Sequence, residues 1–144
     1  MNRHGFSLIE LLIVIIIIGA VASIGYPQVR KGLEARRVAG ARIAITTMNA
    51  KARALAVQRS RVVRLVFDAN TIYLVTTHPV TGVVDTVDRR GLYDMYGVAV
   101  TSSADELIYD PRGLGLQTVG TTVTVTRPGG FADTVTIAPL GGVQ

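Results

Sequence analysis

The run from Phe6 to Tyr26 constrains this chain more than any other part of it: twenty-one residues with a single charge, Glu10. At 1.5 Å per helical residue, that length matches the roughly 30 Å hydrocarbon core of a bilayer. In water the tract Ile15–Ile18 and its apolar flanks would be an aggregation hazard, because β-branched, uncharged windows pair readily as strands. The sequence therefore predicts a membrane-spanning helix whose solvents are lipid and other copies of the same helix. Glu10 is the exception inside it, since a carboxylate in the bilayer costs about 2.5 to 3.5 kcal/mol unless it finds a partner. A secretory signal carries its small-residue cleavage site after the apolar core, whereas here Gly5 precedes it. A cut between Gly5 and Phe6 would leave the new ammonium of Phe6 one helical turn from Glu10, or beside the Glu10 of a neighbouring copy.

Gly5-Phe6-Ser7-Leu8-Ile9-Glu10 joined to the apolar tract resembles the class III leader junction of type IV pilins and type II secretion pseudopilins. The resemblance implies cleavage after Gly5 by a prepilin peptidase on the cytoplasmic face and N-methylation of Phe6. It also implies that Glu10 pairs with the N-terminus of another pilin or pseudopilin during assembly. The implied localisation is the bacterial inner membrane, single-pass, with the head in the periplasm or outside, and then a filament. The competing reading is a plain signal anchor whose acid reaches back to the headgroups.

Charge is distributed unevenly. Between Arg30 and Arg64 there are ten bases and one acid, Glu34; from Leu65 onward there are eight acids against Arg89, Arg90, Arg112 and Arg127. The reading is a basic stalk carrying a mildly acidic head. Only Arg3 and the amino terminus mark the leader as cytoplasmic, so the positive-inside rule alone would put the Arg30–Lys31 side in the cytoplasm. The leader junction overrides it, because it must face its peptidase. The chain has no cysteine, which excludes a disulfide framework and thiolate metal sites and departs from the disulfide-stapled loop of many major type IV pilins.

The expected organisation is a leader at 1–5, a transmembrane half-helix at 6–27, an amphipathic half-helix at 28–60 and a β-sandwich head at 61–144. Pro27 removes one helical hydrogen bond and crowds the turn at Ser23, so a kink is expected there. Beyond it Val38, Ala41, Ile45, Met48, Ala52, Leu55 and Ala56 recur at steps of three and four and predict a stripe that covers the head. After Arg61 the period becomes alternating. Val62–Phe67 and Thr71–Thr76 read as a hairpin around Asp68-Ala69-Asn70, followed by strands at 83–87, 97–101, 106–109, 121–126 and 134–138. Pro79, Gly82, Gly91 and Pro128-Gly129-Gly130 are among the residues that punctuate them. The fold class is α+β, a long helix packed on a small antiparallel sandwich.

Asp110-Pro111-Arg112-Gly113 after Leu107-Ile108-Tyr109 resembles the turn before the last hairpin in the GspH/FimT branch of the family, although Asp-Pro-x-Gly is also a generic turn. FimT-type members implicated in DNA uptake carry arginines in a C-terminal tail, whereas Gly142 and Gln144 stand at those places here. DNA is therefore a possible but unfavoured partner, and the basic stalk reads as a solvated face or a contact to anionic headgroups. No enzyme, cofactor or metal site is expected: His4 and His78 lack ligand spacing, there is no phosphate loop, and Asp105, Glu106 and Asp110 read as loop acids rather than a calcium site. The expected function is a structural minor pseudopilin of a type II secretion system. The alternatives are a FimT-like minor type IV pilin in pilus assembly or DNA uptake, and a membrane-anchored β-domain outside any filament.

Overall fold

The computed structural model describes residues 7–78 and 80–144, so Gly5, Phe6 and Pro79 lie outside the described residues. Two compact units divide the chain, residues 1–34 and 35–144. Helix α1 runs from Leu8 to Arg59 with Pro27 inside it. In the first unit its described residues are exposed with the sole exception of Glu34, which is half-buried. By length and composition α1 is able to cross a membrane.

The second unit is α+β. From Val38 onward α1 is rich in alanine, the best helix former, and its buried residues are Val38, Ala41, Ile45, Met48, Asn49, Ala52, Leu55 and Ala56. Every residue of the expected stripe is buried, and Asn49 is an addition. Strands follow at Val63–Asp68 (β1), Thr71–Thr77 (β2), Val84–Gly91 (β3), Ala99–Ser102 (β4), Glu106–Tyr109 (β5), Thr121–Arg127 (β6) and Phe131–Ile137 (β7), with a short helix α2 at Leu92–Tyr96. They form two antiparallel sheets, ordered β3-β2-β1-β5 and β4-β6-β7.

Alternation fixes the inner faces. Val63, Leu65 and Phe67 on β1, Ile72 and Leu74 on β2, and Val123 and Val125 on β6 are buried, and they share one core with the α1 stripe. Full burial of each such aliphatic side chain contributes about 1.5–3 kcal/mol. Two polar contacts tie the β1–β2 turn, one to β4 of the second sheet and one to the start of α2. In the β1–β2 turn Asn70 accepts the Val100 N–H through Oδ1 at 2.9 Å, and its backbone carbonyl accepts the Leu92 N–H at 2.8 Å.

Three boundaries differ from expectation for identifiable reasons. The β1–β2 turn is tighter, because Asp68 pairs with Thr71 and leaves Ala69-Asn70 as the loop, with Ala69 at φ 49°. Strand β3 continues to Gly91 instead of stopping at Val87; its charged end is held by an Arg89 guanidinium 5.5 Å from the Tyr73 ring centroid and by Asp88 against Lys51. Gly97 ends α2 rather than starting a strand, and Arg127 donates to the Tyr96 carbonyl at that helix end at 2.5 Å.

Candidate functional site

The first candidate site is the start of α1. Ser7 caps it: the Ser7 hydroxyl accepts the Glu10 N–H at 3.2 Å, and the Ser7 carbonyl accepts Glu10 and Leu11 N–H groups at 3.1 and 3.2 Å. Ser7-Leu8-Ile9-Glu10 has the spacing of a capping box, in which the glutamate carboxylate would bond back to the serine N–H. Among the described residues only the serine half forms. The Glu10 side chain instead is exposed in the first helical turn, where the partial positive charge of the helix terminus favours an anion. The helix start therefore presents the Glu10 carboxylate in its first turn with its oxygens open to a cation. Sequence reading singled out Glu10 and passed over Ser7, although the Ser-x-x-Glu spacing was there to find. Gly5 and Phe6 precede the described residues.

Pro27 lies inside α1. Ser23, whose carbonyl loses a donor to Pro27, turns its own hydroxyl to the Ala20 carbonyl at 2.9 Å.

The second candidate site is the turn at Asp110–Gly113. Asp110 Oδ1 accepts the N–H groups of Arg112 and Leu114, both at 2.9 Å, and the Gly113 N–H closes the turn on the Asp110 carbonyl at 2.8 Å. Gly113 has φ 78°, and a Cβ there would lie 2.9 Å from Val57 Cγ2 of α1. The turn thus lies hard against the helix, and Arg53 fastens it. Arg53 Nε donates to the Gly113 carbonyl at 3.0 Å, and Nη1 donates to the Gly141 carbonyl at 3.3 Å. Gly141 also accepts from Asn49 Nδ2 at 3.1 Å, and the buried Tyr109 hydroxyl donates to Asn49 Oδ1. Burial pushes the Tyr109 phenol up to about 12, against a smaller opposing pull from the Arg53 charge. One helical turn of α1 therefore binds the turn at 110–113, the strand β5 and the C-terminal turn together. The sequence expectation had Tyr109 on the strand before the turn and Arg53 among the stalk bases, without these roles, and it passed over Asn49 and Gly141.

The C-terminal tail folds back on β7. Thr136 and Gln144 exchange backbone hydrogen bonds at 3.4 and 2.8 Å, and Ala138 N–H donates to Gly142 at 2.7 Å. Gly142 and Gln144 are exposed. Bases close to the head acids are partly consumed by them: on α1 Lys51 meets Asp88 at 2.5 Å and Arg42 meets Asp133 at 3.4 Å, and on β1 Arg64 meets Glu106 at 3.6 Å. The Lys51 hydrogen bond holds the Asp88 carboxyl below its ordinary value, against a smaller upward push from burial. Among the described residues no group of three or more His, Cys, Asp or Glu side chains could hold a metal ion.

Residues 1–26 match the prokaryotic N-terminal methylation motif. The fold is similar to the type IV minor pilin FimU of Pseudomonas aeruginosa PAO1 in two crystal forms. One gives a TM-score of 0.61 at 13% identity, covering 76% of this chain and 87% of that one. The other gives 0.58 at 12% identity, covering 73% and 89%. This chain is pilin-like. A sequence comparison with curated proteins finds no match. The motif and an apolar N-terminal helix long enough to cross a membrane support membrane anchoring.

Proposed function

We propose that this pilin-like chain is a minor subunit of a filament built at the bacterial inner membrane, with no catalytic activity of its own. Prepilin peptidase cuts after Gly5 and methylates Phe6. The apolar half of α1 anchors the chain as a single pass with the head in the periplasm or outside, and Glu10 pairs with the N-terminal ammonium of a neighbour. Helices then bundle and the head is displayed outward. One observation carries this reading: the methylation motif leads directly into a capped helix whose first turn presents the Glu10 carboxylate outward. Pro27 and the glycines around it supply the segment that loosens on packing.

Two machines fit. The likeness to FimU supports a minor type IV pilin, and the docked Asp110–Gly113 turn, by its resemblance to the GspH/FimT branch, is equally at home in a minor pseudopilin of type II secretion. DNA has weaker support, because the tail presents Gly142 and Gln144 and the head acids occupy Arg42 and Lys51.

The test is intact-mass and N-terminal analysis of the protein from membranes of its own host, with Glu10→Ala and Gly5→Leu beside it. The expected results are a chain starting at methylated Phe6, normal processing but poor filament incorporation for Glu10→Ala, and no processing for Gly5→Leu. A mature chain still starting at Met1 in cells with active peptidase overturns the reading and leaves an anchored β-domain.

A further inference from the structure

The described part of the first unit carries charges at the two ends of its apolar stretch and none between. Glu10 lies near one end and Arg30 and Lys31 lie past the other, all exposed on α1. Glu10 and Arg30 are twenty residues apart, a helical rise of about 30 Å, which is the thickness of the hydrocarbon core. The fate of other bases sharpens the point. In the second unit Arg42, Lys51 and Arg64 meet acids of the head and Arg53 binds turn carbonyls. Arg30 and Lys31 belong to a unit whose acids are Glu10 and Glu34 alone.

We infer that Arg30 and Lys31 bind the phosphates of anionic lipid headgroups, and that this contact sets the depth of α1 so that Glu10 is held at the opposite edge of the hydrocarbon core. The inference rests on the membrane-anchored reading proposed above. With Glu10 at one edge of the hydrocarbon core, Arg30 stands twenty residues on at the other edge, where the headgroup layer begins. The long stems of both residues let their charged heads reach out to the headgroups while the methylenes stay on the apolar side. Tyr26 is exposed one turn earlier, where an amphipathic ring suits the interface. Opposite charge does the rest, since each base close to an anionic surface is attracted by it. A carboxylate at the hydrocarbon edge escapes most of the penalty it would meet at the centre, and there it lies within reach of a neighbour's ammonium. Nucleic acid is the poorer occupant, because a duplex would have to lie against the membrane to reach these two residues.

The test uses the full chain reconstituted in vesicles of phosphatidylcholine and phosphatidylglycerol in equal parts. Retention through a carbonate wash reports insertion, and spin-labelled analogues of the two lipids report their relative association with the protein. The expected result is a preference for phosphatidylglycerol of roughly thirtyfold for two bases, weakened by salt. R30Q/K31Q should bring it close to one, Arg30→Lys should keep it, and R36Q/R37Q should keep most of it. A cysteine at Leu8, unique because the chain has none, reads the depth. An impermeant maleimide should label Leu8→Cys severalfold faster in the anionic vesicles than in phosphatidylcholine alone, and R30Q/K31Q should erase that difference. An inserted chain without lipid preference overturns this inference alone, as does an equal loss from R36Q/R37Q. So does duplex DNA that binds the protein in neutral vesicles through Arg30 and Lys31. A chain stripped by carbonate overturns the membrane reading as well.

Discussion

Two adjacent glycines at the C-terminal turn have opposite tolerances. Gly141 has φ 90°, and a Cβ there would lie 2.7 Å from Tyr109 Cε1, whereas a Cβ on Gly142 meets nothing within 4 Å. Gly141→Ala should therefore destabilise the head by about 1–3 kcal/mol through backbone strain and crowding, and Gly142→Ala by less than about 0.5 kcal/mol. Equal melting temperatures for the two variants would refute this placement of the turn. Tyr109 makes a second prediction. The folded chain holds its phenol proton up to about 12, while unfolded tyrosine ionises near 10. Below that lower value Tyr109 adds no pH dependence; between the two the unfolded chain sheds the proton and the folded chain keeps it, so stability falls as pH rises. In Tyr109→Phe this contribution to the alkaline loss should vanish in denaturation curves taken across that range. Stability at neutral pH should drop by about 1–3 kcal/mol, because Asn49 Oδ1 is left buried without its donor.

At the scale of elements, what could be read from the chain depended on whether a signal was local. The stripe from Val38 to Ala56 was legible because burial on one helix face imposes its own period. Asn49 was not, since a polar residue inside an apolar stripe looks like an interruption until Tyr109 and Gly141 are seen around it. Helix α2 has five residues, fewer than two turns, too short to show a period, and it hid between Gly91, which read as turn punctuation, and Gly97, which read as the start of a strand. The charged end of β3 was missed because its charges have partners on Lys51 and Tyr73 that are distant in sequence. The turn at Asp110–Gly113 was legible as a turn, but its fastening to Arg53, sixty residues away, was not. The tail offers a test of the same kind. Gly142 and Gln144 are exposed on a segment whose backbone is already paired to β7, so G142R/Q144R should leave the melting temperature nearly unchanged while adding two outward cations. Salt-sensitive retention of duplex DNA should be weak in the natural head and appear in the double variant. Strong retention in the natural head would restore DNA as a partner.

At the scale of the molecule, the core cluster among the described residues begins at Val38 and ends at Ile137. All of the hydrophobic burial that folds the head thus lies within residues 35–144, a length at which a single core is sufficient. A chain beginning at Ala35 should therefore fold alone and unfold in one cooperative step, with coincident far-ultraviolet and tyrosine signals. The new helix start, where Ala35, Arg36 and Arg37 are exposed, should fray. That fragment also isolates the charge pairing between helix and head. Lys51 holds the Asp88 carboxyl below its ordinary value, so the pair contributes above pH about 4, where unfolded aspartate is ionised, and the contribution is lost as pH falls through the lower folded value. Lys51→Met should thus be less stable than the natural fragment at neutral pH, by no more than about 1 kcal/mol for so exposed a lysine, and the gap should close in acid. A gap that persists below both values would mean that the lysine stem, through its packing, rather than its charge, stabilises the head; a fragment that melts without cooperativity would mean that the first thirty-four residues supply folding energy that the core itself does not reveal.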